Sequence, residues 1–234
     1  MTEVIVALDR SSGREALELV RMLGEDVGFY KVGFELFTCA GPDIVSEIRS
    51  LGKRVFLDLK LHDIPHTVAR TVQAAADLEV ELLTVHVAGG PEMMKAAQAA
   101  AGEELSLVGV TLLTSLSPND VESAWGFSID SIRKEVVRLA TLARDSGLAG
   151  VVTSPHEASA VRRRLGRSPL IVTPGIRLPR GKAHDQARTA TPAAAVRAGA
   201  THLVVGRAVT AATDPGEAMA QLRGNLGGKG QASS

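Results

Sequence analysis

Short runs of β-branched and other apolar residues recur along the chain, separated by longer Ala- and Leu-rich helical stretches. The runs predict strands at Val4–Leu8, Tyr30–Gly33, Arg54–Lys60, Leu82–His86, Ser106–Thr111, Gly150–Thr153, Leu170–Thr173 and His202–Val205. The stretches between and after them predict helices near Gly13–Leu23, Pro42–Ser50, Pro65–Leu78, Pro91–Ala101, Ile129–Ser146, Glu157–Leu165, Pro192–Ala198 and Pro215–Arg223. Pro42, Pro65, Pro91, Pro192 and Pro215 stand at expected helix starts, where the missing N–H costs nothing. Gly52, Gly102, Gly147, Gly166 and Gly199 stand where helices should stop.

Regular β-α alternation predicts a parallel sheet covered by helices. Eight such units in about 220 residues have the count and size of a (β/α)8 TIM barrel, an α/β fold. A doubly wound open sheet is the competing architecture, but it usually carries G-x-G-x-x-G after the first strand, and the first turn here reads ALDRSSGRE. No linker interrupts the alternation, so residues 1–223 are expected to form a single domain. Residues 224–234, GNLGGKGQASS, are expected to be a disordered tail.

Composition narrows the function classes. Lys+Arg 26 balance Asp+Glu 26 over 234 residues. A neutral chain lacks the broad basic face that nucleic acid or a membrane surface requires, so an anionic ligand must be met by a few local cations. The single cysteine, Cys39, excludes an intrachain disulfide framework and a cysteine-based zinc cluster. No apolar run is long enough to span a bilayer, and the N-terminus MTEVIVALD has no signal-peptide pattern, so a cytoplasmic location is expected.

Polar residues gather at or just past the C-terminal ends of the expected strands: Asp9, Lys31, Asp58 with Lys60, His86, Thr114, the turn Pro174-Gly175-Ile176-Arg177, and Gly206-Arg207. That is the barrel face where active sites are built. Solvent at strand ends explains one or two of these residues. It explains poorly the acids and lysines inside VALD, YKVG and VFLDLK.

The segment Val55–Thr67, VFLDLKLHDIPHT, is the most informative. Strand alternation places Phe56, Asp58 and Lys60 on one face and Leu57, Leu59 and Leu61 on the other. The leucines are expected to pack on helices and the charged side chains to point into the barrel mouth. Asp63 follows in the turn before the helix opened by Pro65. A buried ion pair with an acid near a helix N-terminus is the plain structural reading. Three charges within six residues, beside Asp9 and Lys31, make an array too costly to keep without a chemical use. His62 and His66, with Asp58, Asp63 and His86, offer donors of the kind divalent metals accept. Lys31 and Lys60 in the same cluster oppose a cation, so no metal is expected.

TPGIR after the seventh strand and VVGRAVT after the eighth predict a phosphate site, because glycine lets backbone N–H groups approach an anion and Arg207 adds a guanidinium. The polar segment Arg177–Thr189 is expected to act as a lid that brings Arg177 or Gln186 onto that phosphate.

The ordered series VALD, YKVG, FLDLKLHDIPHT, VHVAGG, VTLLTS, VTPGIR, DQ and VVGRAVT resembles the bacterial orotidine 5′-phosphate decarboxylases, from about Val4 to Met219. D-x-K-x-x-D is shared with a wider superfamily, whereas HDIPHT with TPGIR and GR is more specific. The resemblance implies decarboxylation of orotidine 5′-phosphate to UMP without a cofactor. It implies that Lys60 donates the proton to C6, Asp58 sits beside the substrate carboxylate and holds Lys60, and Lys31 completes the charge array. Asp63, with Ile64 and Thr67, would reach the site of a neighbouring subunit in a homodimer. Asp9 and Lys31 would bind ribose hydroxyls, and Thr114 and Ser115 the pyrimidine edge. Pro174, Arg177, Gln186, Gly206 and Arg207 would line the substrate and phosphate end. Tyr30 replaces a residue often seen before this lysine, with no consequence expected. Two alternatives stay open. One is another phosphate-binding barrel enzyme, a 3-keto-L-gulonate 6-phosphate decarboxylase or a pentose-phosphate epimerase, either of which needs a divalent metal. The other is a nucleotide binder without turnover.

Overall fold

The computed structural model describes residues 2–178 and 189–227. Eight parallel strands close into one barrel in chain order: β1 (Glu3–Ala7), β2 (Phe29–Gly33), β3 (Arg54–Leu61), β4 (Leu82–His86), β5 (Ser106–Val110), β6 (Gly150–Val152), β7 (Leu170–Thr173) and β8 (His202–Val205). β8 pairs with β1 through Glu3↔His202 to Val6↔Val205 and completes the ring. The (β/α)8 barrel expected from the alternation is the observed fold.

Each strand buries both faces, which is why the runs read as continuous apolar segments. Ile5, Ala7, Phe29, Phe56, Leu82, Val108, Val172 and Val204 fill the barrel interior. Their strand neighbours, among them Val6, Tyr30, Leu57, Leu83, Leu107, Ile171 and Leu203, belong to the larger cluster under the helices. The helices are α1 (Gly13–Leu23), α2 (Phe34–Ala40), α3 (Asp43–Ser50), α4 (Pro65–Asp77), α5 (Gly90–Ala101), α6 (Pro118–Trp125), α7 (Ile132–Asp145), α8 (Pro155–Leu165), α9 (Pro192–Arg197), α10 (Arg207–Thr210) and α11 (Pro215–Gly227).

The proline and glycine punctuation holds. Pro65, Pro91, Pro192 and Pro215 lie in first turns, and Pro42 is the N-cap of α3. Gly52, Gly102, Gly147, Gly166 and Gly199 all have positive φ at or just past helix ends. Three short helices were not expected. α2 and α10 follow strands directly, and α6 occupies the connection before α7. α6 begins with a capping box in which Ser117 accepts from the Asp120 amide and Asp120 accepts from the Ser117 amide. α11 runs to Gly227, four residues past the expected end at Arg223, so part of the expected tail is helical.

The N-terminal end of the barrel is closed by charge on an aromatic ring. Arg54 lies 4.4 Å from the Phe29 ring centroid, donates to Glu81 Oε1 at 3.1 Å and pairs with Glu3. The chemistry-bearing residues lie at the opposite end.

Two details of the packing have measurable consequences. Tyr30 is fully buried and its hydroxyl has no hydrogen-bond partner among the described residues. Burial, with the Glu25 charge behind it, pushes the phenol pKa well above its ordinary value. An unsatisfied buried hydroxyl costs stability. Thermal or urea unfolding should therefore show Tyr30→Phe to be more stable by about 1 kcal/mol; an equal or lower stability contradicts the orphaned hydroxyl. A Cβ at Gly150 would lie 2.2 Å from the Leu170 carbonyl oxygen across the β6–β7 ladder. Gly150→Ala should lose about 3 kcal/mol in the same measurement.

Candidate active site

The site is built on consecutive strand ends. β1 leads to Asp9, β2 carries Lys31, and β3 carries Asp58 and Lys60. Lys31 Nζ lies 3.2 Å from Asp9 Oδ1 and 3.6 Å from Asp58 Oδ2. Lys60 Nζ lies 2.8 Å from the same Asp58 oxygen. The order is acid, amine, acid, amine, and the inner pair is the most enclosed: the Lys31 and Asp58 side chains are 12% and 13% exposed. Gly33 makes room for it, because a Cβ there would lie 2.9 Å from Lys31 Nζ.

Asp58 and Lys60 share the mouth as expected, but not through regular alternation. β3 pairs with β4 at Leu57↔Leu83 and next at Leu61↔Val85, so four steps along one strand oppose two along the other. Lys60, inside this bulge, has φ +51°, a left-handed conformation that side-chain-bearing residues rarely adopt. Its amide donates to Thr84 Oγ1 at 2.7 Å, and the same hydroxyl donates to Asp58 Oδ1 at 3.0 Å. Leu57 faces the helices, and Leu59 and Leu61 pack against the same layer while partly buried.

Burial acts to raise the Asp58 pKa, but Lys31, Lys60 and the hydrogen bonds from Lys60 and Thr84 outweigh it and hold the carboxyl below its ordinary value. The acid is ionised and fixed. His86, at the end of β4, is pushed below its ordinary value by burial first, then by the neighbouring His62 and Lys60; Asp58 opposes the shift. The His62 and His86 rings lie 5.4 Å apart at 32°. Among the described residues no three His, Cys, Asp or Glu side chains gather around a point that could hold a metal ion.

A cavity of about 280 Å³ opens beside this row. Phe56, Val110, Val152, Val172 and Val204 form its apolar floor, and Leu112, Leu113 and Thr114 one wall. Pro174, Gly175, Arg177, Gly206 and Arg207 form the far wall. There the backbone is clamped: Arg177 N donates to Ala190 O at 2.9 Å and Ala190 N to Gly175 O at 3.1 Å. Burial, and then the charge of Arg207, lower the Arg177 pKa. Two guanidiniums that repel each other, Arg177 half-buried and Arg207 exposed, have the charge and donor geometry that suit an anion.

The cavity thus brings together nine sequence-predicted residues, Asp9, Lys31, Asp58, Lys60, Thr114, Pro174, Arg177, Gly206 and Arg207. Asp63, Ile64, Thr67 and Ser115 are exposed and do not line it. Gln186 and most of the expected lid lie outside the described residues. Sequence reasoning missed Leu112 and Leu113, which as apolar residues carry no chemical signal. It also missed Thr84, although alternation from Leu82 places this threonine on the interior face.

Residues 2–222 match the orotidine 5′-phosphate decarboxylase / HUMPS family. The chain is 46% identical over 216 residues to the orotidine 5′-phosphate decarboxylase of Opitutus terrae, covering 91% of this chain and 93% of the relative. It is 41% identical over 231 residues to that of Dictyoglomus thermophilum, covering 95% and 94% respectively. The crystal structure of orotidine 5′-phosphate decarboxylase from Lactobacillus acidophilus superposes with a TM-score of 0.86 at 36% identity, covering 97% of this chain and all (100%) of that one. The barrel, its row of alternating charges and these similarities over nearly the full length lead to one conclusion: the chain belongs to the orotidine 5′-phosphate decarboxylase / HUMPS family.

Proposed function

We propose that this protein decarboxylates orotidine 5′-phosphate to UMP and CO2, the last step of de novo pyrimidine nucleotide synthesis. The observation that carries the reading is the Lys60 ammonium 2.8 Å from an ionised, largely buried Asp58, at the edge of a cavity with Arg177 and Arg207 on its far wall. The named relatives and the family match support the choice of substrate.

Breaking the C6–carboxylate bond leaves its electron pair on C6 as CO2 departs. That pair lies in the ring plane and is poorly delocalised, so the remedy is an ammonium already in place where the charge develops. Lys60 supplies it, transfers a proton from Nζ to C6, and regains one from water. Asp58 aims the ammonium and places negative charge beside the departing carboxylate. Lys31 balances Asp58 and, with Asp9, offers partners for ribose hydroxyls. Thr114, on the cavity wall, meets the pyrimidine edge. Pro174, Arg177, Gln186, Gly206 and Arg207 hold the phosphate end, whose binding energy is available to exclude water at C6.

The working unit in this reading is a cytoplasmic homodimer. Asp63, Ile64 and Thr67 are exposed beside the mouth, with Ile64 66% exposed, and are therefore accessible to a partner subunit. Among the described residues no helix is long and apolar enough to cross a membrane.

Lys60→Ala should lower turnover of orotidine 5′-phosphate by at least about 10³-fold, with the fold intact and UMP still bound. Retained catalysis removes Lys60 from this role. The unaltered protein should be equally active after exhaustive chelation; activity that appears only with added Mg2+ or Zn2+ favours the metal-dependent barrel enzymes. Inactive Lys60→Ala and Asp63→Ala subunits, mixed and allowed to exchange, should recover roughly one quarter of full activity, because each hybrid dimer holds one complete site. No recovery despite demonstrated exchange places Asp63 within its own subunit's function only.

A further inference from the structure

Thr84 is wholly buried on the interior face of β4, beneath the charged row, and does not line the cavity. Its interior neighbours in the barrel include Phe56, Leu82 and Val108. A hydroxyl in such a place lowers stability unless it is bonded. Here it is bonded twice, and both partners belong to the row. Oγ1 accepts from the Lys60 amide at 2.7 Å and donates to Asp58 Oδ1 at 3.0 Å. The first bond falls where the β3–β4 register slips, so a side chain caps the Lys60 amide inside the bulge. The second fixes one carboxylate oxygen and leaves Oδ2 to face Lys60 and Lys31.

We infer that Thr84 is the positioning residue of this site: its single hydroxyl ties the strained Lys60 backbone to the Asp58 carboxylate, so that ammonium and carboxylate are held as one rigid unit. This inference rests on the decarboxylase reading above. Without the hydroxyl, Asp58 can turn about its last torsion and share both oxygens with the lysines, and the Lys60 backbone loses its anchor in the left-handed region. Nothing in the binding of ribose or phosphate changes. The predicted signature is a loss in kcat with little change in KM. A displacement of about 1 Å at a reacting group is worth up to about 100-fold in rate.

The test is Thr84→Val, nearly the same shape without donor or acceptor, beside Thr84→Ser, which keeps both. The charged and titratable groups that face Asp58 are Lys31 from β2, Lys60 on its own strand and His86 from β4, with Asp9 behind Lys31. All of them remain in both variants. In Thr84→Val, kcat should fall about 10- to 100-fold, with KM and the Kd for UMP within about twofold. Asp58, having lost a donor to its charged form, should titrate at higher pH by carbon-13 NMR, and the acid limb of kcat should move the same way. Thr84→Ser should restore kcat and the titration. A purely structural role lowers the melting temperature and moves neither.

A folded Thr84→Val protein with unaltered kcat and an unshifted Asp58 overturns the inference. If the valine variant does not fold, Thr84→Ala carries the same expectations and the same refutation. Unaltered protein that leaves orotidine 5′-phosphate untouched overturns the decarboxylase reading instead, and the Asp58 titration still tests Thr84.

Discussion

A carboxylate taken out of water is destabilised by several kcal/mol unless cations and hydrogen-bond donors replace the lost solvent. Asp58 is in that position, and the surrounding structure is arranged to meet the condition. Lys31 from the preceding strand and Lys60 from its own face one oxygen, and the Thr84 hydroxyl bonds the other. The row is interdependent: Asp58 faces both amines, so its removal leaves Lys60 without an acid and Lys31 with Asp9 alone. Such a set holds its geometry before a ligand arrives, which is the condition for electrostatic catalysis.

The barrel supplies what the row needs. Parallel pairing sets Lys31 opposite Ala7 and Asp58 opposite Gly33, so the Lys31 amine reaches both Asp9, just past β1, and Asp58 on β3, above an apolar interior. The bulge in β3 departs from the regular ladder at Lys60, where the backbone takes a conformation that costs of order 1–3 kcal/mol. That strain is localised at the residue to which the proposed reaction assigns proton transfer. Stability is met elsewhere, in the helix-facing core and in the Arg54 ion pairs over Phe29 at the other end of the barrel.

Much of this was legible in the sequence. Every strand fell within two residues of its expected place, because buried parallel strands announce themselves as short apolar runs between proline and glycine marks. The site residues were legible for the opposite reason: acids and lysines inside apolar runs violate the pattern. The short helices α2, α6 and α10 were not legible, since seven, eight and four residues are too few to display helical periodicity. The bulge at Lys60 was hidden because strict alternation and the bulge both send Asp58 and Lys60 to the mouth; only the pairing with β4 separates them. Thr84 was overlooked because one hydroxyl in LLTVH looks like ordinary strand composition, and its meaning arises from a contact between residues 26 apart in the chain. Asp63 and Thr67 carry a motif but do not line the cavity of their own chain.

The closure of β8 on β1 has a consequence for how the protein comes into being. The amines and acids are encoded in the first 60 residues of the chain, whereas Arg177, Gly206 and Arg207 come from its last part. The two groups meet only when the final strand shuts the ring. A nascent chain emerging from the ribosome, or any open folding intermediate, therefore carries half a pocket. A ligand that spans both halves binds the finished ring alone, and by mass action it draws late-stage assembly toward completion.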